Sequence, residues 1–196
     1  MAKMSGEQRR PQIAAAALKI IAEQGLGGFT TRSLAQEVGL AEGTIFRHFA
    51  SKEDIIGAAI DHLEQLLDED LACAREGDPV QRLGRFFRRR VELISKNPGL
   101  VRILFSDELA RAGAASDLDR IQRLKQRGRE FISACIREAD QAGVLRQGLS
   151  PDLVPIIVHG TALALLFGAG ADRPAGSVNV RALWETLEAL FFKRDR

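Results

Sequence analysis

The sequence predicts an all-α protein of nine helices in two parts, and three observations carry this. Nine stretches repeat apolar residues at i, i+3, i+4 and i+7, the period of a helix with a buried face. No run reads as a strand. Thr30–Lys52, TTRSLAQEVGLAEGTIFRHFASK, reads as two short helices around a tight turn, followed by the capped start of a third. A chain of 196 residues with 45% hydrophobic content can bury one ordinary core or two small ones.

The elements follow in order. A first helix over Glu7–Gln24 aligns Ile13, Ala16, Ala17, Ile20 and Ile21, and Gly25 ends it at the left-handed capping position. Thr30 or Thr31 caps the second, whose apolar face is Leu34, Ala35 and Val38; Gly39 sits where a sharp turn needs φ > 0. The third, over Glu42–Phe49, turns Ile45 and Phe49 inward and leaves Glu42, Gly43, Thr44, Arg47 and His48 on the other face. This is a helix-turn-helix pattern, in which one helix braces and the next enters the DNA major groove. Ser51-Lys52-Glu53-Asp54 is a capping box opening a long fourth helix to Glu76, longer than the small N-terminal unit can cover, which therefore bridges to the rest of the chain. The boundary falls at 52/53.

Gly77-Asp78-Pro79 starts a fifth helix to Lys96, with Leu83, Phe86, Phe87, Val91 and Ile94 inward and Arg85, Arg88, Arg89 and Arg90 as a solvated basic face. A sixth spans Leu100–Arg111. A seventh spans Asp117–Ala142, with Leu118, Ile121, Leu124, Phe131, Ile132, Cys135 and Ile136 inward. An eighth covers Asp152–Gly168 with Pro155 in its first turn or at a kink, and a ninth covers Val178–Lys193. These last two are apolar on more than one face. A second buried face implies a second partner, so a two-fold dimer is expected through Leu163, Leu166, Phe167, Leu183, Leu187 and Leu190.

Charge is distributed unevenly. Residues 1–52 carry seven Lys/Arg against four Asp/Glu, whereas the remainder carries 21 against 22, so the positive excess lies on the expected DNA reader. Cys73 and Cys135 have no paired spacing and read as buried thiols of a reducing cytoplasm, with neither disulfide nor metal site. The polar, basic N-terminus lacks a signal-peptide core, and the apolar run Leu153–Ala171 is interrupted by His159, Gly160 and Thr161 and reads as a buried helix, with no membrane partner. Three His at no metal-ligand spacing, no phosphate loop and no nucleophile elbow argue against an enzyme, and no cofactor is expected.

The signature GLAEGTIFRHFASKEDII, preceded by TTRSLAQEV and an Ile- and Ala-rich first helix ending at Gly25, closely resembles the tetracycline-repressor (TetR) family over residues 7–60. The resemblance implies a cytoplasmic, dimeric, ligand-responsive regulator, usually a repressor, binding a palindromic double-stranded DNA operator. It implies that Thr31 and Arg32 start the supporting helix, with the hydroxyl on a phosphate and the basic group on a phosphate or base. Glu42, Gly43 and Phe46 match groove-facing positions, Thr44, His48 and Lys52 match phosphate contacts, and Arg47 reaches a phosphate or guanine. Ala41 stands where the family often has a capping Ser, and Phe46 where Tyr is common, which removes a side-chain cap and a hydroxyl. A small apolar or amphipathic ligand would enter among the helices after residue 52, near Leu66, Phe86, Phe87, Leu104, Phe105, Phe131 and His159; each also reads as plain core, and His159 also as a satisfied interface histidine. Arg9 and Arg10, near the start of the first helix, are open between phosphate contacts and solvated charges. NPGLVRIL at Asn97–Leu104 is similar to the branch of nucleoid-occlusion division regulators, and implies an alternative: a DNA-bound scaffold that contacts a protein and takes no small ligand.

Overall fold

The computed structural model describes residues 6–97, 115–167 and 179–193, together with residues 100, 103 and 113. Among the described residues there are eight helices: α1 (Gly6–Gly28), α2 (Thr31–Val38), α3 (Glu42–Ile45), α4 (Lys52–Cys73), α5 (Pro79–Lys96), α6 (Ala115–Gln141), α7 (Val154–Phe167) and α8 (Val180–Phe191). The count of nine falls by one because most of the helix expected at Leu100–Arg111 lies outside the described residues; Leu100 and Ile103 are helical and buried. No strand is present among them, only an antiparallel bridge between Leu145 and Phe192. No described helix is long and apolar enough to cross a membrane.

The chain forms two compact units, Met1–Leu66 with Asn97–Leu124, and Leu67–Lys96 with Lys125–Arg196. In the first, α1 packs on α2 and α2 on α3. Of the α1 stripe Ile13, Ala17, Ile20 and Ile21 are buried, Ile13 and Ala17 at 0% exposure, while Ala16 at its edge is half-buried. Gly25 has φ 73° and ψ 179°, an extended mirror-image conformation open to Gly alone rather than the expected left-handed helical cap. It breaks α1, and one more turn follows to Gly28. In the same unit Arg120 of α6 binds three carboxylates: Asp61, Glu64 at 2.6 Å and Asp117 at 3.2 Å. Its guanidinium is therefore held above the ordinary arginine range, chiefly by its bond to Glu64.

In the second unit α5 packs against α7 and α8. Its core gathers Leu83, Phe86, Phe87, Val91, Ile132, Ile136, Val158, Trp184, Leu187 and Phe191. Fully burying one such aromatic or aliphatic side chain contributes about 1.5–3 kcal/mol. Gly84 makes the closest fit: a Cβ there would stand 2.5 Å from Trp184 Nε1, so the indole lies directly against the α5 backbone and 5.6 Å from the Phe87 ring. Phe86 meets Phe131 with ring centroids 4.9 Å apart.

Further expectations about burial change. Arg90 is not on a solvated face: its side chain is 16% exposed, donates to Asp70 at 3.1 Å and lies 4.8 Å over the Phe86 ring. Cys73 is exposed and is the last residue of α4, which stops short of the expected Glu76. Leu118 is 37% exposed, one turn into α6. Leu187 faces its own protomer's core at 5% exposure, and Leu183 is half-buried against that core, because the inward stripe of α8 runs through Trp184, Leu187 and Phe191. Leu190, on the opposite side, is 58% exposed.

Candidate nucleic-acid interface

The site is assembled by local hydrogen bonding that the residue types dictate. Thr30 is the N-cap of α2: its hydroxyl accepts from the Ser33 N–H at 3.0 Å, while the Ser33 hydroxyl accepts from the Thr30 N–H at 3.0 Å. At the other end Gly39 adopts φ 66°, ψ 39°, and the N–H groups of Gly39 and Leu40 reach back to the last carbonyls of the helix, Leu40 to Ala35 at 2.9 Å. This left-handed glycine is what turns the chain sharply enough to start α3 three residues later.

The reading helix is shorter than the expected Glu42–Phe49. Only Glu42–Ile45 is α-helical. The turn then tightens: Arg47 N–H donates to Thr44 O at 3.2 Å and His48 N–H to Ile45 O at 3.0 Å, both three residues apart, before Phe49 N–H returns to Ile45 O at 3.1 Å. Ala41 supplies no side-chain cap, as its methyl requires. The segment is held instead by Ile45 at 0% and Phe49 at 2% exposure. Next comes Ser51, whose hydroxyl accepts from the Asp54 N–H at 3.1 Å, while the Asp54 carboxylate takes the Ala50 N–H at 3.1 Å, one residue earlier than a standard capping box.

The residues assigned to DNA by resemblance lie on this frame. Arg32, Glu42, Gly43, Phe46, Arg47 and Lys52 are exposed, and Thr31, Thr44 and His48 are half-buried. Phe46 is 51% exposed, an unusual position for a phenyl ring. A Cβ built on Gly43 would meet nothing within 4 Å, so the protein's own packing does not require glycine there. Lys52 Nζ lies 5.1 Å from the Phe29 ring centroid. Arg10 of α1 donates to the backbone carbonyl of His48 and stacks 4.2 Å over the Phe49 ring. Lys19, also on α1, instead pairs with Glu37 of α2 at 2.7 Å, which raises its pKa.

The residues assigned to a ligand are less convergent. Phe86 and Phe87 are closed core at 3% exposure, whereas Phe131 and His159 are half-buried. The His159 imidazole is held below its ordinary pKa by burial first, then by Arg129 and Arg90. Leu66 is half-buried in the other unit. Leu104 and Phe105 lie outside the described residues, as do the side chains of Leu166 and Phe167; Leu163 is half-buried on α7.

Known proteins match this chain in sequence and in fold. Residues 13–59 match the model of bacterial regulatory proteins, tetR family. The chain is 31% identical over 146 residues to the nucleoid occlusion factor SlmA of Marinomonas sp., covering 73% of this chain and 71% of that protein. It is also 31% identical over 129 residues to SlmA of Haemophilus influenzae, spanning 61% of this chain and 59% of the relative's length. Among solved structures it resembles the ketosteroid transcriptional regulator KstR2 of Mycobacterium tuberculosis, with a TM-score of 0.72, 22% identity and coverage of 95% and 96% of the two chains. AibR in complex with isovaleryl coenzyme A and operator DNA gives a TM-score of 0.72 at 18% identity, covering 94% of this chain and 98% of that one.

Proposed function

Because the chain belongs to the tetR family of bacterial regulatory proteins, we propose that it is a homodimeric transcriptional repressor whose two reading heads grip a palindromic operator. A small ligand in the second part of the chain would change that grip. DNA reading falls to residues 1–52, and ligand binding and dimerisation to residues 53–196. The observation that carries the reading is the two-sidedness of the turn at 42–49. Ile45 and Phe49 lock one side into the core, while Phe46 and Arg47 stand exposed on the other. A rigid element presenting an exposed aromatic ring and a cation suits a groove lined by phosphates. Thr31, Arg32, Thr44, His48 and Lys52 surround it as phosphate contacts, and Glu42 and Gly43 lie at its leading edge.

Dimerisation is supported by an apolar surface that the single chain leaves bare. Leu153, just before α7, and Ile156 and Ile157 in its first turn are 59%, 65% and 49% exposed, and Leu190 of α8 is 58% exposed. Ile156→Arg should yield a monomer by light scattering with the fold intact; an unchanged dimer mass would sink the interface. For the ligand we propose an amphipathic acyl thioester, the class named in the AibR structure. Phe131 and His159 are the half-buried positions open to it.

A second reading is favoured by the 31% identity to nucleoid occlusion factors. In it the chain is a DNA-bound scaffold that contacts a protein partner without a small ligand. Footprinting of the full-length protein on genomic DNA separates the two. Sites confined to promoters, and released by an acyl-coenzyme A, support the repressor. Sites scattered through coding sequence and indifferent to that ligand support the scaffold.

A further inference from the structure

We infer that Arg10 is a positioning residue of the DNA-reading element: it fixes the C-terminal end of the reading turn from α1 through uncharged partners. The inference rests on the DNA-reading function proposed above.

The reading turn needs such a support. Its helical part has four residues, Glu42–Ile45, and Ala41 gives its N-terminus no side-chain cap. An isolated helix of that length does not hold itself together, because a single turn fixes several dihedrals for one hydrogen bond. Its last turn is the tight, three-residue kind through Arg47 and His48. The carbonyl at that end, His48 O, is the acceptor for Arg10 Nη1. The central carbon of the same guanidinium lies over the ring of Phe49, 4.2 Å from its centroid, and Phe49 is 2% exposed. One planar group therefore holds both the backbone and the anchoring side chain of the turn's end. A lysine cannot do this, since an ammonium is a point donor without a stacking plane.

The choice of partners carries the rest. Helix α1 holds α2 as well, through Lys19 and the Glu37 carboxylate at 2.7 Å. At the reading turn it uses a carbonyl and a phenyl ring. A carboxylate at that end would hold the arginine equally well but would set a negative charge beside the phosphates of a bound duplex. The ring and carbonyl hold the cation without adding an anion. Arg10 thus turns one donor onto the turn and meets no acid there while the residue stays exposed, which differs from both a phosphate clamp and a free solvated charge.

The test uses the full-length protein, with Arg10→Ala and Arg10→Lys, and two probes. One is the duplex that wild type recovers from a random 30-base-pair library; the other is an unselected random duplex of that length. Affinity for each is measured across a salt series. Positioning predicts that both variants lose about tenfold in the ratio of selected to random affinity, the size of one misplaced base contact. It also predicts that Arg10→Lys keeps the wild-type salt slope on the random duplex. Amide exchange at Ile45–Phe49 should quicken in both variants while the rest of the first unit keeps its protection. If Arg10→Lys restores the wild-type ratio, charge alone is at work and the inference is overturned. It is overturned equally if Arg10→Ala lowers both affinities alike and drops the salt slope by about one. If the alanine variant does not fold, the lysine variant decides alone, since it keeps the charge and most of the stem. Wild type that binds neither duplex sinks the DNA-reading function itself; wild type that discriminates, with variants that do so equally well, sinks only this inference.

Discussion

The reading turn and the long helices partner their cations in opposite ways. Beside the reading turn Arg10 and Lys52 rest on neutral groups, Arg10 on Phe49 and the His48 carbonyl and Lys52 over Phe29. On α5 and α6, Arg90 is answered by Asp70, Arg127 by Asp68, Arg82 by Glu138 at 2.6 Å and Arg120 by Glu64 at 2.6 Å. The physical reason differs in each place. A buried guanidinium needs a compensating charge, because its desolvation exceeds what hydrogen bonds to neutral groups return. A cation that is to meet phosphates must avoid such compensation, or its field is spent within the protein. The same residue type therefore meets acids between the long helices and neutral groups beside the reading turn, and the partner distinguishes the two roles.

That contrast can be broken from either side. The largest effect should come from Asp70→Ala, which leaves Arg90 at 16% side-chain exposure without its carboxylate. Removing one partner of a buried pair costs about 3–5 kcal/mol, to be read by urea unfolding. Lys52→Ala should leave unfolding nearly unchanged while weakening binding to all duplexes alike and lowering the salt slope by about one. An unaltered slope would show that Lys52 is a neutralised charge like those of α5. Gly43→Ala sharpens the contrast, because stability and function should move apart. The added methyl meets nothing within 4 Å in the free protein. It should raise stability by about 0.5–1 kcal/mol through helix propensity and weaken duplex binding by blocking close backbone approach. Stronger or equal binding would remove the groove from that position.

The smallest effect concerns His159. Burial and the nearby Arg129 and Arg90 hold its pKa below the ordinary 6.5. The unfolded chain then takes up a proton that the folded chain refuses, so stability should decline as pH falls below about 6.5. His159→Gln should flatten that decline, as followed by melting temperature between pH 7.5 and 5.5.

The parts of the fold written in short-range chemistry were legible in the sequence. Ser51, Gly39 and the isoleucines of the first-helix stripe act on neighbours within one or two turns, and each does what its spacing implies. Roles set by distant partners were not legible. Arg10 and His48 lie 38 residues apart, and an arginine followed by proline at a helix start looks the same whether it is solvated or stacked. Arg90 is one of three consecutive arginines, and only the packing of α5 decides which of them is buried. Leu183, Leu187 and Leu190 share helical spacing, but the stripe through Trp184 and Phe191 turns Leu187 inward and leaves Leu190 out. The reading helix was overestimated because hydrogen bonds three residues apart continue the turn without continuing the α-helix.

The contact between Gly84 and Trp184 has a consequence for optical work. Trp184 is the chain's one tryptophan, there is no tyrosine, and the indole is 3% exposed. Near-ultraviolet emission therefore originates from a single shielded fluorophore in the second unit. The reading head, with phenylalanines alone, is dark at that wavelength. A variant that loosens only the first unit would lose far-ultraviolet ellipticity with its emission unchanged, so the two signals resolve the two units without a label.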